Sequence, residues 1–227
     1  KRPWNKSLKN INISNVLVSN GFLDNEIFKI ALKNLFEAYG TDININFKDF
    51  YELINVKLTF SVYNTTTQEF EYFNHENTPE LSIIDAMYST CAIPILFKPY
   101  KYKNNFYMDG MMLTAYPINY ALCNYNDDNI LGIQITGISE VDYIINEDDN
   151  IIGLLMKLFY GYKNKYEKNI EMKNINHIMD IKPILFTEIY ATLNDESFRK
   201  ELYSKGIEKA KDFLTTYKST STNLLNV

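Results

Sequence analysis

The sequence has few of the residues that bind transition metals or form disulfide frameworks. Its 227 residues include only two cysteines, Cys91 and Cys123, and two histidines. Each cysteine lies in an apolar segment without a CxxC neighbour, which argues against a zinc site, a redox motif or a disulfide framework. We therefore predict two reduced, buried thiols in an intracellular protein, and we expect neither a metal nor any other cofactor.

The sequence also lacks a long apolar run and an excess of basic residues. No stretch approaches the roughly 18 apolar residues that cross a bilayer, and we expect that residues 1–4, which no apolar run follows, are not a signal peptide. The formal net charge of -5 argues against nucleic acid as a partner, because phosphate binding needs a basic face. We expect a cytoplasmic protein without a transmembrane segment, and contact with a membrane surface stays open.

The residues that are present favour one α/β domain with a sizeable core, since 46% of them are hydrophobic. Apolar residues at helical spacing predict helices, with Asp24 and Ser82 as caps, over residues 24–38, 47–53, 82–91, 151–173 and 195–214, and Pro117 opens another. Alternating segments predict strands over residues 56–63, 68–73, 105–108, 130–135 and 177–181. Because helices and strands alternate, we predict a mainly parallel sheet with helices on both faces.

Asp109 is the strongest candidate for a chemical role. Small residues from Ser89 to Ala92 end a helix, Pro94 forces the chain out of it, and a short apolar strand then leads to Asp109 and Gly110. Ligands bind at the carboxyl ends of strands in open α/β sheets, and Gly110 permits a tight turn there. Asp-Gly is also a common turn pair, so a purely structural role stays open at this point.

These segments together resemble the C-terminal half of the patatin-like phospholipase domain. The segment from Ser89 to Pro94 is similar to the family's "SSAIP" motif, and Asp109-Gly110 is similar to its D-G motif. The segment from Gly21 to Asp24 is similar to its "GLxDG" motif, residues 56–73 to a hairpin, and residues 206–210 to its C-terminal helix. The resemblance implies a three-layer α/β/α domain over residues 1–217, with its N-terminal part absent. The low-complexity composition of the last residues predicts a disordered tail over 218–227.

The resemblance implies a lipid acyl hydrolase with a Ser/Asp dyad, in which Asp109 is the proton acceptor and Gly110 completes the D-G motif. The substrate would be a phospholipid or another lipid ester, and no cofactor would be needed. However, the sequence contains no G-x-S-x-G, and the glycine-rich loop of an oxyanion hole is also missing. Met111 stands where the family has Gly or Ala, and Ala115 replaces a common Asn.

We expect the nucleophile to lie upstream of Lys1, so that this chain alone is inactive and, with an unprotected sheet edge, aggregates or needs a partner. A non-catalytic lipid-binding or scaffold protein of the same architecture is the alternative. Acyl transfer between lipids is a third hypothesis, because an alcohol can replace water in deacylation.

Several other residues are weaker candidates. His177 would complete a Ser–Asp–His triad, but the strand pattern favours a structural position, and His75 is predicted at the surface. Each of four segments fits either a role in ligand binding or a purely structural role. The acidic runs over 126–129 and 147–149 suit calcium or solvated loops, the aromatic stretch over 158–162 suits lipid contact or core packing, and the lysine-rich stretch over 98–103 suits a phospholipid headgroup or a guarded sheet edge.

Overall fold

The computed structural model describes residues 20–21, 23–114, 116–126, 129–135, 144–147, 149, 151, 153–155, 157–158, 161, 178–181 and 195–224.

The first helix begins shortly after the described part of the chain starts. Helix α1 (Glu26–Ala38) ends where Gly40 adopts a left-handed conformation with φ 63°, as predicted. The predicted cap at Asp24 is wrong. The cap position belongs to Asn25, whose side chain instead donates to Asp85 Oδ1 at 2.9 Å.

Two short helices follow the predicted pattern closely. Helix α2 (Phe47–Ile54) is capped by Asn46, whose side chain accepts a hydrogen bond from the Asp49 amide. Helix α3 (Ile83–Thr90) is capped by Ser82, whose Oγ accepts from the Asp85 amide at 3.2 Å. Both caps satisfy amide groups that have no partner within the first helical turn.

The larger described sheet is antiparallel throughout. Strands β1 (Thr59–Asn64), β2 (Glu69–Asn74), β3 (Tyr100–Tyr102) and β4 (Asn105–Asp109) lie in the order β2-β1-β4-β3. The α/β class fits, but the prediction of a mainly parallel sheet is not supported. The connections between β1 and β2 and between β3 and β4 are too short for the crossover that parallel strands need.

One face of this sheet carries the core. The strand registers place Val62 opposite both Glu71 and Asp109, so these three side chains share a face. Helices α2 and α3 contribute to the core on that face. Its fully packed members are Phe47, Val62, Phe73, Leu81, Ile83, Ala86 and Tyr107. The row from Glu71 across Val62 to Asp109 therefore links the core to the candidate site.

The chain divides into two compact units, Lys1–Ala115 and Tyr116–Val227. The second unit contains helix α4 (Ile118–Asn124), strands β5 (Gly132–Ile135) and β6 (Ile178–Ile181), which pair in parallel, and helix α5 (Glu196–Leu224). Helix α5 continues past residue 217, where the sequence predicts the end of the domain, and that boundary stays a prediction. In the part of the chain that the structure describes, no helix is long and apolar enough to cross a membrane.

Candidate functional site

Asp109 is the last residue of β4, an inner strand of the four-stranded sheet. Its amide donates to the carbonyl oxygen of Ala92 at 3.2 Å, and its Oδ1 accepts from the Met111 amide at 2.9 Å. The side chain is half-buried. The carboxylate is thus held in one orientation at the end of a strand, with part of its surface open to solvent.

Gly110 is required by a close approach rather than by an unusual backbone angle. A Cβ atom at this position would lie 2.7 Å from the carbonyl oxygen of Ser61 and 2.9 Å from its Oγ. Atoms at these distances overlap, so a side chain would push β4 away from β1. The sequence predicts a glycine for a tight turn, whereas the structure shows that strand β1 leaves no room for a Cβ atom.

The segment of small residues ties helix α3 to the same point of β1. Thr90 Oγ1 donates to the Ser61 carbonyl oxygen at 2.7 Å, and the fully buried Ser89 donates from Oγ to the Asp85 carbonyl oxygen at 2.7 Å. Thr90 and Gly110 therefore meet the backbone of β1 at one residue. Small size alone accounts for these positions in the sequence, and no local pattern indicates the hydrogen bond of Thr90.

The segment from Gly21 to Asp24, which is similar to a family motif, lies beside the residues that follow Pro94. Leu23 forms a parallel bridge with Phe97, and the Lys98 amide donates to the Leu23 carbonyl oxygen at 2.7 Å. The buried Tyr88 hydroxyl lies within hydrogen-bond distance of the carbonyl oxygens of Leu23 (3.1 Å) and Lys98 (2.6 Å). A Cβ atom at Gly21 would lie 2.5 Å from the backbone of Phe97 and Lys98. Residues far apart in the sequence are thus joined around the end of α3.

Both cysteines are free, but the prediction that they are buried is wrong. Cys91 follows the last residue of α3 and Cys123 lies in the last turn of α4, and both residues are exposed. Apolar neighbours in the sequence do not decide which way the end of a helix faces. Desolvation of the Cys91 thiol raises its pKa to about 11, and the charge of Asp109 raises the pKa further, so the thiol stays protonated near neutral pH.

Met111 stands where the family has Gly or Ala, and this difference leaves its contact with Asp109 intact. The donor is the backbone amide of Met111, which every residue except proline provides. The side chain of Met111 is half-buried and replaces the smaller residue of the family motif. The other departure, Ala115, lies outside the described residues.

The prediction that His75 lies at the surface is wrong. Its side chain is mostly buried and stacks on Tyr51 with ring centroids 4.0 Å apart, and its Nδ1 is buried without a hydrogen-bond partner. His177 lies outside the described residues, although the predicted strand beside it is present as β6. The stack explains why a histidine in a polar turn is protected from solvent.

The acidic runs do not assemble a metal site in the described parts of the chain, where no group of three metal-binding side chains occurs. Asp149 pairs with Lys157 at 2.8 Å, and Lys157 also donates to the Ile144 carbonyl oxygen. A backbone hydrogen bond from Asn146 and the contact with Lys157 lower the pKa of Asp149. Asp127, Asp128 and Asp148 lie outside the described residues.

The lysines of residues 98–103 surround β3, which lies at an edge of the sheet. Lys98 faces Asp24 at 3.5 Å, Lys101 lies over the Phe106 ring, and Lys103 lies over the Tyr102 ring. This placement fits lysines that guard a sheet edge, and a role with a headgroup stays a prediction. In the stretch over 158–162, Leu158 is exposed, and Phe159, Tyr160 and Tyr162 lie outside the described residues.

The comparisons with known proteins agree with the segments described above. The model of the patatin-like phospholipase family matches residues 2–122, which is more than half of the chain and includes strands β1 to β4 with Asp109. The chain therefore belongs to the patatin-like phospholipase family, as its motifs predict.

One relative has a name that states an activity. The chain is 28% identical over 198 residues to a protein of Invertebrate iridescent virus 6 named "Probable lipid hydrolase 463L". The similarity covers 82% of this chain and 60% of that protein. The chain thus spans about 60% of the length of this relative.

Proposed function

We propose that this protein is a serine-dependent lipid acyl hydrolase in which Asp109 is the proton acceptor of a Ser/Asp dyad. The observation that carries the proposal is the fixed carboxylate of Asp109 at the end of β4, within the segment that matches the family. The name of the viral relative supports the same class of reaction. No G-x-S-x-G occurs in the 227 residues, so the proposal assigns the serine to a segment outside this sequence.

The chemistry follows from the position of the carboxylate. Asp109 would accept the proton of the serine hydroxyl as its oxygen attacks the acyl carbonyl, and the alcohol part of the ester would leave with a proton. Water would then attack the acyl-enzyme and release the fatty acid. An aspartate of ordinary pKa, about 3.9, is a weak base, so its effect depends on being held within hydrogen-bond reach of the serine. The hydrogen bond from the Met111 amide, which fixes the orientation of the carboxylate, supports this role.

The substrate in this proposal is a phospholipid or another lipid ester, reached by peripheral contact with a lipid surface. The three-layer α/β/α arrangement of the family belongs to the same proposal. Of the two residues of the dyad, the 227 residues contain only the aspartate. Removing the nucleophile eliminates nearly all rate enhancement in serine hydrolases. We therefore expect no esterase activity from these residues without the segment that holds the serine.

The absence of a G-x-S-x-G motif from the 227 residues favours one alternative function. The alternative is a lipid-binding or scaffold protein of the same family without catalysis. Two arms of one experiment separate the functions. The protein with its full reading frame is assayed for fatty acid released from phosphatidylcholine vesicles, and vesicle binding is measured by co-sedimentation. Binding without release of fatty acid supports the alternative. Release of fatty acid that disappears in Asp109→Asn supports the hydrolase.

The matched control for this experiment is Asp49→Asn, because Asp49 is an exposed aspartate on α2. The control variant is expected to keep the activity of the wild type. Adding an acceptor alcohol and analysing the products shows whether acyl transfer accompanies hydrolysis. Normal turnover by Asp109→Asn would remove Asp109 from the mechanism.

A further inference from the structure

A second polar feature lies on the sheet face that carries Asp109, at residues that the Ser/Asp proposal does not use. A cleft of about 450 Å³ is bordered by Glu71, Tyr102, Lys103, Asn105 and Tyr107 together with Tyr72, Phe73, Asn77 and Thr78. Its volume falls in the range of about 300–1,000 Å³ that is usual for small-molecule sites. The lining residues come from β2, the turn after it, β3, the β3–β4 turn and β4, so the cleft is formed by the sheet and its turns.

Two neutral donors hold the carboxylate of Glu71 in place. The buried Asn64 donates from Nδ2 to Oε1 at 2.7 Å, and the Tyr107 hydroxyl donates to Oε2 at 3.1 Å. The other end of the Asn64 amide accepts from the amides of Thr66 and Thr67 in the β1–β2 turn. Asn64 is therefore fixed by the turn, and Glu71 is fixed by Asn64.

The charge of Glu71 is not balanced by an ion pair. Among the described residues, the ion pairs of the chain involve other carboxylates, and none includes Glu71. The residue is half-buried, so its charge is only partly solvated. Burial and the adjacent charge of Glu71 raise the pKa of Tyr107, which keeps its hydroxyl protonated as a donor. An oriented, half-buried carboxylate attracts a cation more strongly than an exposed one.

Aromatic rings stand beside this carboxylate. Phe73 packs edge to face with Tyr107, at 4.7 Å between ring centroids, and with Tyr102, at 6.0 Å, so the three rings form a rigid group. The face of Tyr102 already attracts a cation in this structure, because the Lys103 ammonium lies 5.2 Å from its centroid. A fixed carboxylate and an aromatic face that border the same cleft together favour binding of an alkylammonium group.

We propose that the cleft at Glu71 and Tyr102 binds a small molecule with an alkylammonium group. The ammonium would contact the Glu71 carboxylate and the face of Tyr102, in place of the Lys103 side chain. Asn105 and Asn77 also border the cleft, where their side-chain amides donate to the Tyr107 hydroxyl and to the Tyr72 carbonyl oxygen. The site does not depend on Asp109 or on the absent serine, so it stands whether or not the protein hydrolyses lipids.

The test uses choline chloride and its uncharged analogue 3,3-dimethylbutan-1-ol, which have nearly the same shape. Each is titrated into the protein with its full reading frame by isothermal titration calorimetry at constant ionic strength. We expect choline to bind about tenfold more tightly, since that ratio corresponds to about 1.4 kcal/mol, the scale of one cation–π or charge-assisted contact. Equal binding of the two compounds, or tighter binding of inorganic phosphate, would overturn the proposal.

Variants assign the binding to this cleft. Glu71→Gln removes the charge and keeps the shape, and we expect choline affinity to fall about tenfold while 3,3-dimethylbutan-1-ol is unaffected. Glu69→Gln is the matched control, because Glu69 lies two residues away on the same face of β2 and is exposed. Tyr102→Leu provides a second variant that leaves Glu71 unchanged. Circular dichroism melts verify folding, and choline binding that survives in both Glu71→Gln and Tyr102→Leu would refute the assignment.

A third ligand distinguishes the sources of the ammonium group. Glycerophosphocholine carries the same ammonium on a complete lipid headgroup. Binding as tight as that of choline would identify a lipid headgroup as the occupant, and weaker binding would identify a free ammonium compound. Both results agree with the site, and absence of saturable binding by either ligand would contradict it.

Discussion

The two units of the chain differ in how their strands come together. In the first unit, β1 pairs with β2 and β3 with β4 through tight turns, and one continuous core lies on the sheet. In the second unit, β5 pairs with β6, which lies far along the chain, and the described core cluster contains only Ile118 and Ile130 with three partly buried neighbours. Closing a short loop costs the chain less conformational entropy than closing a long one. Local sequence therefore determines the strand pairing of the first unit more strongly than that of the second.

Both units expose large apolar side chains, but among the described residues eleven apolar side chains are buried in the first unit and two, Ile118 and Ile130, in the second. Leu131, Ile133 and Ile151 of the second unit are each more than half exposed. Phe73, Val62 and Ala86 of the first unit are almost fully buried. Large exposed apolar side chains that occur together mark surfaces that contact a partner or a ligand. The comparison predicts that truncating apolar residues costs far more stability in the first unit.

The largest expected effect is that of Phe73→Ala. Phe73 is 1% exposed, and truncation of a buried phenylalanine removes about 3–5 kcal/mol of unfolding free energy. Ile133→Ala in the second unit is the control, because Ile133 is 54% exposed and its loss is expected to cost less than about 1 kcal/mol. Urea denaturation of both variants measures the difference. Equal losses would mean that the two units do not differ in packing as described.

A pair of glycines gives the next largest contrast. Gly110→Ala places a Cβ atom 2.7 Å from the Ser61 carbonyl oxygen and is expected to cost about 1–3 kcal/mol. Gly206→Ala in α5 meets no atom within 4 Å and is expected to stabilise the helix by up to about 1 kcal/mol. Thermal melts should therefore shift in opposite directions. A Gly110→Ala variant as stable as the wild type would show that β4 and β1 do not approach so closely.

Removal of the cap on α3 should have a smaller effect. Ser82→Ala deletes the oxygen that accepts from the Asp85 amide, and loss of such a cap costs about 1 kcal/mol. Ser204→Ala is the control in the second unit, where the hydroxyl only bonds to the Lys200 carbonyl oxygen within a helix. Its expected change is within about 0.5 kcal/mol. Chemical denaturation that ranks the two variants the other way would argue against the cap.

The smallest expected effect is a dependence of stability on pH. The pKa of Asp149 is lowered in the folded state, so its contribution is present above the unfolded pKa and is lost as pH falls through the folded pKa. Asp149→Asn should melt below the wild type at neutral pH, and the two should converge below about pH 3.9, the ordinary aspartate value. Glu76→Gln in the first unit should show a weaker trend, because its pair with Lys57 is more exposed than that of Asp149 with Lys157. A gap that persists in acid would exclude this origin.

The sequence predicts the local elements of the first unit well, and for physical reasons. The polar turn between residues 59–64 and 69–74, the cap at Ser82 and the stop at Gly40 each depend on residues close in sequence. The alternation of helices and strands predicts crossovers and a mainly parallel sheet, which the larger described sheet does not support. The lengths of the connections, which decide the direction, had already indicated hairpins.

The sequence singles out the candidate residues of the site, but it does not predict the contacts around them. Asp109 and Gly110 stand out in the sequence because a carboxylate and a glycine follow an apolar strand. The contacts that fix them, from Thr90 to Ser61 and from Ala92 to Asp109, join residues whose separation no local pattern reveals. The link from Asn64 through Glu71 to Tyr107 was missed for the same reason, since it crosses three strands.

The most direct test of Asp109 as proton acceptor is the rate of acylation in a single turnover. The protein with its full reading frame is mixed with a p-nitrophenyl ester of a fatty acid, and the burst of p-nitrophenol is followed for the wild type and for Asp109→Asn. General base catalysis predicts that the burst slows by about 10²–10⁴-fold in the variant, with its melting temperature preserved. A burst of unchanged rate in a folded Asp109→Asn variant would contradict the role of Asp109.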